Sequence, residues 1–442
     1  MIAETDSRPT VGSYSLLPSD EDFLASLEVS GFQPSMVDRL RVAWKSYQEY
    51  PSPRRRDEAW RFSSRPGFYS GSPISAEPPL EFEEVRFDPD IAYAGEMTFI
   101  DGLPSGEVRL SGKLRLAGVV FCPLTDFYAS AESDFALFDA VSGPDLGSTK
   151  YDLLNQALAS SGFVLKVPQG LEIEEPFLVR YHYTEENRYH FARSYVQAGP
   201  FAKVNLLEAY SSTRNHRGGI CSFASRVHVQ ESGQITRKVI QDLSPAVESL
   251  ILDSERVERD GRLKSIAVHT GSSRARYENV VRITGSGAEA RLYSLSAATG
   301  KRELDQRTLQ IHDAPHAFSD LLFKNALLDQ SRTIFSGLIQ VATGAQQTDA
   351  YQTNRNLLLD PTAIATALPG LEIEADDVKC SHGATTGRID EEEIFYMMQR
   401  GISRRVAQEL AVAGFFEEVV SLFDIEEVRE VLRNLLKQRF HE

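Results

Sequence analysis

Short runs of alternating apolar residues fill most of this chain and limit its fold more than any other feature. Between about Leu80 and Val378, apolar side chains recur at every second position, and Gly, Asn, Asp or Ser separates one run from the next. The pattern predicts many short β-strands without the long helical crossovers of βαβ units. Representative runs are Val108 to Leu116, Val204 to Leu206, Val227 to Val229, Val281 to Ile283, Ala288 to Leu292 and Ile334 to Val341.

Two β architectures can hold so many strands: a sandwich of two sheets, or a β-helix in which the chain winds around one axis. The strand region spans about residues 80–378 of 442, which is large for one sandwich and favours the β-helix, although no strict repeat proves it. A β-helix needs its ends covered, and helices at both termini would do this. We therefore predict a mainly β fold with three regions: N-terminal helices and a linker in 1–79, a β-helix core in 80–383, and C-terminal helices in 384–442.

Apolar residues at helical spacing predict the terminal helices. Asp390 is expected to cap a helix whose first turn holds Glu391 and Glu392, where negative charge is favourable. A stretch rich in Pro, Gly and Ser, residues 66–79, is expected to be a linker. The predicted helices are Asp20 to Leu27, Met36 to Tyr47, Ser133 to Ala140 and Tyr151 to Ser160, followed by three that begin after Asp390, Ser403 and Asp424.

Charge and cysteine content argue against several classes of function. The formal net charge of −16 disfavours nucleic acid and anionic membranes as partners. The three cysteines, Cys122, Cys221 and Cys380, are far apart and predict no disulfide framework. The N-terminus lacks the basic and apolar segments of a signal peptide, so we expect a cytoplasmic protein. The sequence contains no Gly-x-x-x-x-Gly-Lys-Ser/Thr loop, so any ATP hydrolysis would need a partner.

The segment 371–383 contains the candidate site. Cys380 and His382 are two positions apart, so in an extended strand their side chains point the same way. Thiolate and imidazole are ligands for iron, zinc or copper, but two ligands leave a tetrahedral site incomplete. The others would come from elsewhere in this chain or from a partner. Gly383 would let the chain turn away sharply after the pair. The alternative is a buried cysteine that packs as a small apolar residue beside a capping histidine.

Several motifs resemble one known family. They are the run Asp376 to Asp390, which contains Cys380-Ser381-His382-Gly383, the stretches 337–341, 347–352, 356–359 and 369–373, and, near the N-terminus, Asp57-Glu58-Ala59-Trp60-Arg61-Phe62. Together they resemble the SufB/SufD family of iron–sulfur cluster assembly proteins. The sequence His-Gly-Ala-Thr-Thr-Gly that begins at His382 is more similar to the SufD branch, and the shortage of cysteines also suits SufD.

The resemblance implies a right-handed parallel β-helix and a non-enzymatic scaffold role. It implies a heterodimer with a SufB-like paralogue, joined through the β-helix ends, and a SufC-like ATPase docked on the C-terminal helices. In isolation the chain is expected to be able to form a homodimer. Cys380 and His382 would face the SufB-like partner, where a nascent iron–sulfur cluster is held transiently and shared. The isolated chain is expected to bind no cofactor firmly.

The C-terminal helices contain the candidate contacts for the ATPase. Phe415 and Phe416 are adjacent and therefore lie on different sides of their helix, so both cannot easily face one core. We expect one of them to contact the ATPase. The candidate contacts also include Phe395, Arg400 and Gly401, in and just after the preceding helix.

The rival function from a different class is a β-helix enzyme that acts on polysaccharides. Such an enzyme would use carboxylates in a groove, and two sets are candidates: Glu172, Glu174 and Glu175, and Glu372 and Glu374. These enzymes are commonly secreted, so the missing signal peptide argues against this function. A solvated strand face is the simpler interpretation of both sets.

Overall fold

A computed structural model describes residues 13–14, 17–64, 68, 87, 89–143, 145–213 and 218–439. In chain order the strands are β1 (Ser13–Tyr14), β2 (Gly95–Ile100), β3 (Leu103–Pro104), β4 (Arg109–Leu110), β5 (Val120–Pro123), β6 (Phe163–Val167), β7 (Phe177–Tyr183), β8 (Tyr189–Ala198), β9 (Lys203–Ser212), β10 (Ile220–Val229), β11 (Gln234–Asp242), β12 (Glu248–Val257), β13 (Arg262–His269), β14 (Arg274–Ile283), β15 (Glu289–Ala298), β16 (Glu303–His312), β17 (Phe318–Leu327), β18 (Arg332–Val341), β19 (Asp349–Leu358), β20 (Ile364–Ile373) and β21 (Lys379–Arg388). The α-helices are α1 (Asp20–Glu28), α2 (Pro34–Glu49), α3 (Gly112–Leu116), α4 (Leu124–Ala129), α5 (Thr149–Leu158), α6 (Glu391–Gln399), α7 (Arg404–Val420) and α8 (Glu426–Arg439).

Consecutive strands from β6 to β21 alternate between two sheets. The even-numbered strands form the first sheet, together with β5, and the odd-numbered strands form the second sheet, together with β2. Within each sheet the long strands pair in parallel with the strand two positions earlier and the strand two positions later. The chain therefore winds through about eight turns of a parallel β-helix, which confirms the predicted fold class.

Apolar side chains fill the interior of the first turns, because every second residue of each long strand points inward. Phe163, Phe177, Phe223 and Val227 are buried there in one cluster. Burying each such side chain contributes roughly 1.5–3 kcal/mol. Two further apolar clusters lie outside the β-helix. The N-terminal helices with α4 and α5 cover the first sheet, and α7 and α8 cover the second.

The two ends of the β-helix differ. At the first turn, β5 runs antiparallel to β6, and the short strands β3 and β4 run antiparallel to β2. At the last turn, β20 pairs with β18 and β21 pairs with β19. In the described part of the chain, neither β20 nor β21 has a strand on its other side. The last turn therefore leaves two sheet edges open, and we call it the open end.

The motif around Trp60 joins the N-terminal region to the β-helix. The Trp60 ring is buried under the guanidinium of Arg276, 3.8 Å from its centroid, and its Nε1 donates to the Gly147 carbonyl at 2.9 Å. Arg276 also pairs with Glu278 at 2.7 Å. The hydroxyl of Ser63 donates to Asp305 at 2.5 Å. Trp60, which belongs to the motif at residues 57–62, therefore has a structural role.

Two local predictions need correction, and a third is not tested. The alternation at Leu114 and Leu116 predicts a strand, but both lie in α3, and Leu116 is 92% exposed, so the alternation marks no buried face. Leu, Lys and Arg all favour helix, which explains the outcome over so short a run. The helix predicted for Ser133 to Ala140 is a shorter 3₁₀ helix, Phe135–Asp139. The predicted linker lies outside the described residues except for Phe68.

The sharp turn predicted at Gly383 is also wrong. Gly383 lies inside β21, which continues to Arg388, and α6 begins at Glu391. A Cβ at Gly383 would meet nothing within 4 Å, so neither crowding nor an unusual backbone angle requires glycine there. The boundary expected between residues 383 and 384 falls within a strand. The division into three regions stays a prediction.

Candidate functional site

The strand register places Cys380 and His382 in one inward-facing row at the open end. Cys380 lies opposite Ala350 of β19, and His382 lies opposite Gln352. Ala350 and Gln352 are both buried in the interior, so their partners on β21 face the same way. The spacing of two residues therefore brings the thiol and the imidazole to the same side of the last strand.

The Cys380 thiol lies in an apolar setting. The side chain is half-buried and packs against a small cluster that includes Ile339, Val341 and Ala375. Burial raises the pKa of the thiol, and the nearby Asp349 carboxylate adds to this effect. Metal ions bind the thiolate, so the thiol must lose its proton before it can act as a ligand. A cation at the open end would favour that loss.

The His382 side chain is exposed, in contrast to Cys380. It lies one strand beyond Gln352, whose Nε2 donates to the Gly337 carbonyl at 3.2 Å. Among the residues that the structure describes, no three His, Cys, Asp or Glu side chains come together closely enough to hold a metal ion. Cys380 and His382 are thus two donors of an incomplete set within the described chain.

The inward row of β20 faces this pair and is apolar. It contains Ala367, Pro369 and Leu371, and the exposed side chains of Leu368 and Ile373 add apolar surface. Pro369 has no backbone N–H, which is tolerated in a strand at a sheet edge. An open edge with apolar side chains is a template for pairing with another chain. The open end thus combines metal-ligating side chains with a surface suited to a partner.

The first residue before α6 confirms a predicted cap, and a glycine ends the helix. The Asp390 carboxylate accepts two backbone N–H groups of the first turn, as expected for an N-cap. After the helix, Gly401 has a φ of 86°, its N–H donates to the Met398 carbonyl, and Ile402 N–H donates to the Met397 carbonyl. This is the Schellman ending, in which glycine supplies the left-handed residue. Gly401 thus fixes the end of α6.

Exposed apolar side chains form a patch on α6 and α7. Phe395 is 60% exposed, and the other members of this apolar helix patch are Tyr396, Met398, Val406 and Leu410. The Arg400 guanidinium lies 4.5 Å from the centroid of the Tyr396 ring. Sequence reasoning found Phe395 and Arg400 but missed the other four. These four apolar residues lie outside the buried apolar face of each helix, and that position in the helical pattern is the sequence signal that could have identified them.

Phe415 and Phe416 both pack against the same apolar cluster, so the prediction that they cannot share one core is wrong. Phe416 is fully buried and lies under a groove of about 330 Å³ between α7 and α8. Phe415 is half-buried, with Lys324 Nζ 4.9 Å from its ring centroid. Both fit because α7 is covered on two sides, by the second sheet and by α8. Contacts of either residue with a partner stay predictions.

The two carboxylate sets considered for a polysaccharide groove lie in different parts of the β-helix. Glu174 pairs with Lys203 at 2.9 Å near the first turns of the β-helix. At the other end, Glu372 accepts a hydrogen bond from Gln340 at 2.7 Å, and Glu374 accepts one from Thr343. Glu174, Glu372 and Glu374 are thus each engaged by a neighbouring polar side chain, and the two sets lie at opposite ends of the β-helix. In the described ranges, no helix has both the length and the apolar character needed to cross a membrane.

Taken together, these features define a class: a parallel β-helix protein whose last turn is open and presents a thiol and an imidazole. The family profile described as "SUF system FeS cluster assembly, SufBD core domain" matches residues 181–415. This match covers more than half of the chain, and the chain belongs to that family.

Named relatives extend the similarity beyond the matched core. The iron-sulfur cluster assembly protein SufD of Bacillus subtilis is 24% identical over 437 residues, which cover 96% of this chain and 98% of that protein. SufD of Escherichia coli is 29% identical over 292 residues, 65% and 68% of the two chains. Protein ABCI7, chloroplastic, of Arabidopsis thaliana is 27% identical over 405 residues, 88% and 82% of the two chains. The predicted resemblance is confirmed: the chain is SufD-like, and its role lies in SUF iron–sulfur cluster assembly.

Proposed function

We propose that this chain is a non-catalytic, cytoplasmic scaffold subunit of the SUF assembly machinery. It pairs with a SufB-like paralogue through the open end and docks a SufC-like ATPase through the apolar helix patch. The nascent iron–sulfur cluster is cargo, held transiently between the two paralogues. The observation that carries the proposal is the position of Cys380 and His382 in the last turn, whose outer strand edges have no neighbouring strand in the described part of the chain.

The chemistry of the open end supports a shared site. One thiol and one imidazole provide two donors, and an iron site in a cluster needs four. A partner strand laid against β21 would satisfy the open sheet edge and could bring the missing donors beside Cys380 and His382. It would also exclude water from the site, and a positively charged iron there would stabilise the Cys380 thiolate.

The decisive variant is His382→Ala in the complex with the SufB-like partner. Because His382 is exposed, its removal leaves the packing of β21 intact. We expect iron and sulfide bound to the purified complex to fall at least several-fold, with an unchanged circular dichroism spectrum and melting temperature. Iron and acid-labile sulfide are measured on the co-purified complex.

Ser381→Ala is the matched control, because Ser381 is the exposed neighbour on the opposite face of the same strand. It should load iron and sulfide like the wild-type complex. Normal loading with His382→Ala would refute the ligand role. Equal losses in both variants would instead assign the effect to a general disturbance of the interface and would also count against His382 as a ligand.

A further inference from the structure

A row of polar side chains runs along the inner face of the second sheet toward the open end. The strand register places Ser296, Asn325, Asn356 and Thr386 side by side on β15, β17, β19 and β21. The first three are buried, whereas Thr386 is exposed because it lies on the last strand. We call these four residues, which share one inward-facing position on successive turns, the inner polar row.

Side-chain hydrogen bonds connect the inner polar row from turn to turn. Gln306 reaches across from the first sheet, donates to Ser296 Oγ at 3.3 Å and accepts from Asn325 Nδ2 at 3.0 Å. Asn325 Nδ2 also donates to Asn356 Oδ1 at 2.9 Å, and Asn356 Nδ2 donates to Thr386 Oγ1 at 3.4 Å. Stacked amide groups stabilise strands that are in register with one another. The inner polar row therefore helps to fix how the later turns align.

The row stops at Thr386 with one hydrogen bond unmade. The Thr386 hydroxyl oxygen accepts from Asn356, but among the described residues nothing accepts the proton of its own O–H. Water can satisfy this donor while the last strand is uncovered. A strand laid against β21 would displace that water, and a buried donor without an acceptor weakens binding. A strand that fits must therefore bring an acceptor to this position.

The position of Thr386 makes this requirement specific for register. Side chains alternate between the two faces of a strand, so a partner strand shifted by one residue would turn its acceptor away from Thr386. A shift by two residues would move the acceptor by about 6.6 Å along the strand, beyond hydrogen-bond reach. The inner positions near Thr386 are Ala384, Ala365 and Ala367, so a displaced acceptor would find no donor side chain among them.

The register at Thr386 also decides what lies beside the proposed metal ligands. Cys380 and His382 come earlier on the same strand, at even spacing from Thr386, and therefore face the same way. A partner strand that slipped by two residues would carry its own donors past them by the same distance, so a shared set of four ligands could not form. A fixed register of strand pairing is thus a condition for the proposed cluster site.

We propose that Thr386 extends the inner polar row into the partner subunit. An Asn or Gln side chain on the facing strand of the SufB-like paralogue accepts the Thr386 O–H, and this hydrogen bond selects one register of strand pairing at the open end. An amide is the acceptor that matches the row, since amides form its buried part in this chain. The inference rests on the proposed function, because it takes the paralogue to pair through the open end. Thr386 is a positioning residue, which acts on the shared site through the register.

The test measures the dissociation constant between the full-length chain and the purified SufB-like paralogue. Thr386→Val keeps the branched side-chain shape, removes the O–H and should raise the dissociation constant by about tenfold. Thr386→Ser keeps the hydroxyl and should bind like the wild type. Thr385→Val is the matched control, because the Thr385 side chain lies on the opposite face of β21, and it should also bind like the wild type. None of the three should lower the melting temperature of the isolated chain, since both positions are exposed.

Cluster loading gives a second readout. Thr386→Val should lower bound iron and sulfide even at protein concentrations that restore pairing, because pairs in a wrong register misplace the donors. Unchanged affinity and loading with Thr386→Val would overturn the inference and leave the pairing itself standing, whereas failure of the wild-type chain to bind the paralogue would overturn both. Equal weakening by Thr386→Val and Thr385→Val would also refute the role of the hydroxyl. A loss confined to self-association of this chain would assign the row to a homodimer and would refute the inference as well.

Discussion

At the scale of single residues, one buried acid in the β-helix interior, Glu255, links pH to folding stability. The pKa of Glu255 rises from 4.5 to about 7 on folding, because burial and Asp253 disfavour the carboxylate. The unfolded chain therefore releases this proton at lower pH than the folded chain. The contribution of Glu255 to the free energy of unfolding is constant below about pH 4.5 and falls by about 3 kcal/mol as the pH rises to 7.

We predict that Glu255→Gln removes this loss. Urea unfolding from pH 4.5 to 8 should show the variant gaining stability relative to wild type as the pH rises, by up to ~3 kcal/mol. The quantity to compare is the free energy of unfolding of the variant minus that of the wild type at each pH. Buried His269 and His312, whose pKa values are lowered to about 4, make both proteins more stable as the pH rises, and this contribution cancels in the difference. Glu186→Gln, at an exposed position, should track the wild type. If the difference in the free energy of unfolding between Glu255→Gln and wild type did not change with pH, the raised pKa assigned to Glu255 would be contradicted.

The contrast between Cys380 and Glu255 indicates what single-residue reasoning can predict. The common direction of Cys380 and His382 follows from the period of two in any strand, so it could be predicted before the fold was known. Glu255 stands between Ser254 and Arg256, a pattern equally typical of a solvated strand face. Its burial depends on which turn it occupies and which face points inward, and neither is encoded within a few residues.

At the scale of elements, the helix boundaries were predictable because their signals are local. Asp390 and Ser403 accept backbone N–H groups of the helices that they precede, as predicted from sequence, and Ser19 does the same for α1. The strand boundaries near Leu116 and Gly383 could not be predicted from sequence. Near Leu116, a short alternation of apolar residues fits either a helix or a strand. At Gly383, glycine is tolerated in an exposed edge strand, so it does not mark the end of one. Tertiary pairing with β19 decides the length of β21.

Two glycines in the C-terminal region allow the local signal for a helix end to be tested: Gly401 follows α6, and Gly414 lies inside α7. Gly401→Ala should destabilise the C-terminal helices by about 1 kcal/mol, because its φ of 86° is unfavourable for alanine. Gly414→Ala should stabilise them by about 0.5–1 kcal/mol, because Gly414 is inside α7 and a Cβ there would meet nothing within 4 Å. Amide hydrogen exchange in α6 and α7 measures both. Equal effects of the two substitutions would show that Gly401 does not end the helix as described.

At the scale of the whole molecule, the open end and the part of the apolar helix patch that lies on α7 are formed by different elements. The open end is the last turn of the β-helix, whereas α7 packs along the outer face of the second sheet near β15 and β17. Salt bridges fix this arrangement, including Lys324 with Glu418 and the buried Arg439 with Asp242. Each pair joins residues far apart in sequence, so the arrangement could not be predicted from local patterns. The proposed pairing through the open end and the proposed docking on α7 therefore use different elements of the fold.

That separation predicts independent losses. Phe395→Asp should reduce co-purification of the SufC-like ATPase at least tenfold, because it places a charge in the exposed apolar helix patch, and should leave the SufB-like partner bound. His382→Ala should retain both partners and lose only cluster loading. Val42→Asp, at an exposed apolar position on α2, should retain both partners and normal loading. Pull-down of the co-expressed proteins, followed by iron and sulfide analysis of the purified complex, measures all three variants. Loss of both partners with Phe395→Asp alone would mean that one surface, not two, assembles the complex.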